Sequence, residues 1–110
     1  MTPPDDQIFH LATPAQWTLA TATGEVAPPS LATEGFVHCS TEAQVASTIE
    51  RYFAGHDELV LLRIDTDQVA TDLHWEESRP GELFPHVYRA IRVDEVVEVI
   101  PWRRAANDPA

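Results

Sequence analysis

Two short segments hold most of the residues able to do chemistry. The first is Gly35-Phe36-Val37-His38-Cys39-Ser40. Read as a strand, it places Phe36, His38 and Ser40 on one face and Val37 and Cys39 on the other. An imidazole and a hydroxyl two residues apart on a shared face can grip a ribose diol, a carboxylate or a water. The competing reading is a buried histidine bonded to a backbone carbonyl, with Ser40 helping to start the next helix. The second segment is Gly81-Glu82-Leu83-Phe84-Pro85-His86-Val87-Tyr88. His86 and Tyr88 share a face if it is a strand. Pro85 cannot donate to a ladder, so the strand should begin there or lie at a sheet edge. A histidine just after a glycine-containing loop is where sites are commonly assembled, and Glu76, Arg79 and Glu82 lie just before it. The alternative is that His86 and Tyr88 rim the core with wet polar tips. Arg79 could clamp a phosphate or carboxylate bidentately, or pair with a neighbouring glutamate.

Other chemistries have less support. The histidines at positions 10, 38, 56, 74 and 86 lack the i, i+3 or i, i+4 spacing of a zinc motif, although His74 and Glu76 would share a strand face. No metal is expected. A metal-dependent hydrolase using His38, His86 and a carboxylate is kept as an alternative. The single cysteine, Cys39, excludes an internal disulfide and a cysteine zinc site, and it should point away from His38. Glycines stand singly at 24, 35, 55 and 81, so neither a dinucleotide fingerprint nor a P-loop can be drawn.

The scaffold is expected to be one domain over residues 1–110, ordered from about 7 to 103, with a frayed tail from Ala105 to Ala110. Hydrophobic residues make up 44%, enough for a core that buries roughly 60 to 70% of the unfolded surface. With 7 Lys and Arg against 18 Asp and Glu, the formal charge is −11. That charge repels nucleic acid and anionic membranes. A small anionic ligand is still compatible, because one arginine or a helix N-terminus can hold it locally. No leader-like start and no membrane-length run are seen, so a cytoplasmic location is expected.

The elements follow from capping and periodicity. Gln7 to Leu11 reads as a strand. Thr13-Pro14-Ala15-Gln16 is a capping box opening a helix that Gly24 stops. Glu25 to Glu34, with Pro28-Pro29, reads as an irregular loop. Thr41 and Gln44 cap a second helix carrying the stripe Val45, Ile49, Tyr52 and Phe53, ended by Gly55. Leu59 to Ile64 reads as a central strand covered on both faces. Asp65 to Asp67 is a turn, Leu73 to Glu76 a short strand, Glu77 to Leu83 a loop, and Phe84 to Ile91 and Val96 to Ile100 are strands. Two early helices and mostly late strands favour an α+β class.

The motifs His38-Cys39-Ser40-Thr41 and Phe84-Pro85-His86-Val87-Tyr88, in this order, resemble the small bacterial family catalogued as domain of unknown function 952. So do Asp57 to Asp65 and His74-Trp75-Glu76, and the likeness runs from about Gln7 to Trp102. Where members of that family often follow the tyrosine with glycine, this chain has Arg89. The resemblance implies an ADP-ribosyltransferase-like fold: a split, curved, mostly antiparallel sheet with two main helices and NAD in its cleft. By that resemblance His38 would hold an NAD ribose, and Ser40 would bond the nicotinamide side or position His38. Tyr52 or Tyr88 would be the aromatic wall, Glu82 the late glutamate, and His86 a phosphate ligand or acid/base. Phe36, Glu76 and Arg79 complete the expected ligand-binding set. A non-catalytic module binding a metabolite or a modified peptide in the same pocket is the other alternative.

Overall fold

The computed structural model describes residues 6–104, and the tail expected from Ala105 to Ala110 lies outside them. The chain runs β1 (Gln7–Ala12), α1 (Pro14–Thr23), β2 (Glu25–Val26), α2 (Pro29–Glu34), β3 (Val37–His38), α3 (Glu42–Tyr52), β4 (Glu58–Asp65), α4 (Thr66–Val69), β5 (Leu73–Arg79), β6 (Glu82–Val87), β7 (Ile91–Arg92) and β8 (Val96–Arg103). Short 3-10 turns cover Ala70–Asp72 and Val93–Glu95. The class is α+β, every strand pairing among the described residues is antiparallel, and α1 and α3 are the two long helices. No helix among the described residues is long and apolar enough to cross a membrane.

The described residues form three sheets, ordered β1-β4-β8, β3-β6-β5 and the two-stranded β2-β7. The first two meet where Phe9 and Ser40 exchange a pair of backbone hydrogen bonds, both 2.8 Å. β4 lies between two partners and alternates into two separate packings. Val60, Leu62 and Ile64 enter the main core with Ile8, Val37, Val87 and Ile91. Leu59 and Leu61 pack on the other side with Leu11, Ile49 and Phe53, under α3. Both expected capping boxes are formed. Thr13 Oγ1 accepts from Gln16 N–H at 3.1 Å and Gln16 Oε1 from Thr13 N–H at 2.9 Å; the Thr41–Gln44 pair does the same at 3.2 and 3.0 Å. Gly24, at φ 92°, ends α1 in the left-handed conformation that side chains resist.

Several boundaries differ from the sequence reading. Residues 25–34 are not irregular: Pro29 sits in the first turn of α2, where a missing N–H is harmless. The expected strand from Gly35 to Ser40 is ladder-paired only at Val37–His38. Helix α3 ends at Phe53 rather than Gly55, and its Tyr52 is 63% exposed instead of packed. The loop expected at Glu77–Leu83 is the tight end of a β5-β6 hairpin. The strand expected from Phe84 to Ile91 divides into β6 and β7. Pro85 neither opens a strand nor lies on an edge, because β6 is the middle strand of its sheet. It is tolerated because β3 is so short. Pro85 O accepts from Cys39 N–H at 3.0 Å, so its nitrogen also faces the β3 side, where that ladder has ended.

Candidate functional site

The second sheet brings the expected residues together by register. His38 of β3 lies opposite His86 of β6, which lies opposite His74 of β5. Paired residues share a face, so three histidines run across one side of the sheet. Val37, Val87 and Leu73, next along each strand, pair across the other side and belong to the main core. The apolar side fixes the register, and the register fixes the polar side.

His86 is the centre. It is 3% exposed. Its Nδ1 lies 2.7 Å from Glu76 Oε1 and its Nε2 3.1 Å from Ser78 Oγ. Tyr88 Oη donates to both oxygens of Glu76, at 2.7 and 2.9 Å. The Tyr88 bond first, then the His86 bond, holds the Glu76 carboxyl below its usual range, and the same contact raises the Tyr88 hydroxyl. Glu76 is therefore a carboxylate that can only accept, so His86 must carry its proton on Nδ1. Burial pulls the His86 pKa below the ordinary value, with the Glu76 bond opposing it. The ring is neutral at pH 7, Nε2 is a free lone pair, and Ser78 Oγ–H donates to it. Phe36 stacks on the ring at 4.1 Å and 18°, and His38 stands edge-on to it with ring centres 5.2 Å apart.

His38 is half exposed, and its Nε2 lies 2.8 Å from Glu34 Oε2 at the end of α2. Its backbone carbonyl accepts from His10 Nδ1–H at 2.8 Å. A hollow of about 230 Å³ opens here, lined by His10, His38, Ser40, Tyr52, Ser78, Arg79 and Phe84 among others. A second of about 500 Å³, walled by Trp17, Leu19 and Val26, shares His10, Gln16, Pro28 and Pro29 with it. Together they fall within the size range of small-molecule sites. Cys39 also lines the first hollow, but burial raises its thiol to about 12, which removes it as a nucleophile.

Not every expected residue joins this centre. Glu82 accepts from Gln44 Nε2 at 3.2 Å and faces Arg79 at 3.6 Å, so the carboxylate on His86 is Glu76 instead. Arg79 takes the neighbouring-glutamate option and lies over the Phe84 ring at 4.8 Å. Tyr88 serves Glu76, while Tyr52 reaches the hollow from α3. Among the described residues, no group of three or more His, Cys, Asp or Glu is placed to hold a metal. Sequence reasoning missed Ser78, His10 and Glu34. Ser78 fell inside an expected loop, and Glu34 in an unread helix. The period-two spacing of Glu76 and Ser78 was the available signal.

His10, like His86, is buried with a lowered pKa. A histidine kept neutral by folding takes up its proton only in the unfolded chain near pH 6.5, so stability falls as pH drops through that value. The melting temperature should decline between about pH 7 and 5, where histidine titrates. The combined variant His10→Gln, His86→Gln should lose much of that slope. An unchanged slope, read by circular dichroism, would show that these rings do not control it.

Fold and site together define a small α+β protein with a histidine-lined cleft between two antiparallel sheets. The chain belongs to the family described as Protein of unknown function (DUF952), which matches residues 11–99. It is similar to protein CC0527 from Caulobacter crescentus. Against the crystal structure the identity is 34%, with 91% of this chain and 89% of that one covered and a TM-score of 0.84. Against the solution NMR structure the identity is 33%, with 93% and 89% covered and a TM-score of 0.81. Among curated proteins, none matches.

Proposed function

We propose that this is an NAD-handling enzyme that cleaves the nicotinamide–ribose bond, on an ADP-ribosyltransferase-like fold. One observation carries the reading: His38, Ser40 and Tyr52 line a single hollow. His38 would bond a ribose hydroxyl, Ser40 the nicotinamide side, and Tyr52 would supply the aromatic wall. The shared wall of His10, Gln16, Pro28 and Pro29 leads to the second hollow, which suits the other half of a two-part ligand. Loss of nicotinamide builds positive charge on the ribose, which a fixed carboxylate stabilises. Glu34, bonded to His38, takes the part expected of Glu82. Titrating NAD calorimetrically should give binding, weakened about tenfold by His38→Ala through one lost hydrogen bond to a polar ligand. No heat from the parent protein at about 1 mM NAD, a concentration that detects weak sites, would overturn it.

One observation favours a second reading, binding without turnover. Glu82, the nearest late acid, is committed to Gln44 and Arg79. Prolonged incubation with labelled NAD and lysate decides: released nicotinamide or transferred label supports the enzyme, and saturable binding without either supports the module.

A further inference from the structure

We propose that Ser78, His86 and Glu76 form a nucleophilic triad acting on a compact acyl ester in the first hollow. The chain of contacts is complete: Ser78 Oγ to His86 Nε2 at 3.1 Å, and His86 Nδ1 to Glu76 Oε1 at 2.7 Å. That is the order nucleophile, base, orienting carboxylate that converts a hydroxyl into an attacking group. The roles are assigned by hydrogen bonding as well as distance. Glu76 is held by the Tyr88 hydroxyl and can only accept, which leaves the His86 Nε2 lone pair facing the serine.

The backbone supplies a second observation. The β5-β6 register shifts between Glu77 and Arg79, so Ser78 is the extra residue of a bulge. A bulge turns one side chain out of the strand's alternation at a local cost in ladder pairing, and such irregularities gather at sites. Here Ser78 keeps the face of Glu76 and meets the histidine, and the extra residue lets Arg79 follow it into the same hollow. Leu11, Pro28, Pro29, Phe53 and Phe84 give the same hollow apolar walls, which suit a small acyl group.

The reaction balances with water alone. Ser78 Oγ attacks the ester carbonyl carbon while its proton passes to His86 Nε2. The Arg79 guanidinium, which lines the hollow, is the cation available to the developing oxyanion. His86 returns the proton to the departing alkoxide, and the alcohol leaves. Water then attacks the acyl-serine through the same base, releasing the acid and restoring Ser78.

A fluorophosphonate probe and p-nitrophenyl acetate test this with the whole chain. Neither contains ribose, so the outcome is independent of the NAD reading. The probe should add to Ser78, located by peptide mass mapping, and Ser78→Ala should abolish both labelling and turnover. Glu76→Gln and His86→Gln should each slow both by about 10² or more, as loss of base or orienting carboxylate does in such triads. The Glu76 variant changes a partly exposed side chain, and so keeps the test valid if His86→Gln does not fold. Absence of label on the folded parent would overturn the triad, as would labelling at Ser78 that Glu76→Gln leaves at full rate.

Discussion

Replacing Arg89 with Met is expected to destabilise the protein by about 3 kcal/mol, toward the lower end for breaking a buried charge pair because the guanidinium is partly exposed. Arg89 follows β6, where it bonds Glu95 through two nitrogens at 2.8 and 2.9 Å, Asp72 at 2.9 Å, and the carbonyls of Ala90 and Gln68. Glu95 is 5% exposed, and Arg89 is the largest cause holding its carboxyl below the usual range. Without the arginine, a carboxylate stays buried with only the Arg92 backbone N–H as partner. The pH dependence follows. In the parent, Glu95 has a depressed folded pKa. Its contribution is complete above the unfolded value of about 4.3 and is lost as pH falls toward the folded one. In the variant the penalty should shrink on acidification, because protonation removes the unpaired charge. Urea midpoints at neutral and acid pH measure both. A penalty that is small at neutral pH would mean that water reaches Glu95.

Leu62→Ala should cost about 2–5 kcal/mol, the range for removing a fully buried leucine. Leu62 has no exposed surface, sits mid-strand in β4, and packs in the main core. It also forms part of the second hollow, so truncation enlarges a space already present instead of letting the walls collapse. For a domain of this size the loss corresponds to a melting decrease on the order of 10–20 °C. A cost below about 1 kcal/mol, the scale of a surface change, would contradict a central position for β4.

The parts legible in the sequence are those written in local chemistry. Thr13 with Gln16, and Thr41 with Gln44, announce helix starts because cap and reciprocal partner lie within one turn. The run Leu59 to Ile64 announces a strand buried on both sides. His38 and His86 were readable as candidates, because polar rings at short alternating spacing on apolar strands are out of place unless something uses them. What was not legible depends on pairing at long range. Whether Pro85 ends a strand or sits inside one turns on how short β3 is, which only the neighbouring strand decides. Helix α2 hid behind Pro28-Pro29, since the residues that break a helix interior also start one. Ser78 is hidden because the sequence reads Glu77 to Leu83 as a loop, whereas β5 runs on to Arg79 and carries Ser78 on the face of Glu76. Closeness in sequence favours Glu82 over Glu76, whereas the hairpin register sets residue 76 opposite residue 84, diagonal to residue 86 on the same face and within bonding reach of it.

The Ser78–His86–Glu76 chain turns on one proton. Long-range ¹H–¹⁵N correlation spectra of the imidazole nitrogens read its position directly. His86 should show a protonated Nδ1 and a bare, acceptor-type Nε2 at pH 7, and should stay neutral at a pH where an unperturbed ring is already charged. A ring protonated on Nε2, or an imidazolium at neutral pH, would leave Ser78 without a base and contradict the site described for this protein.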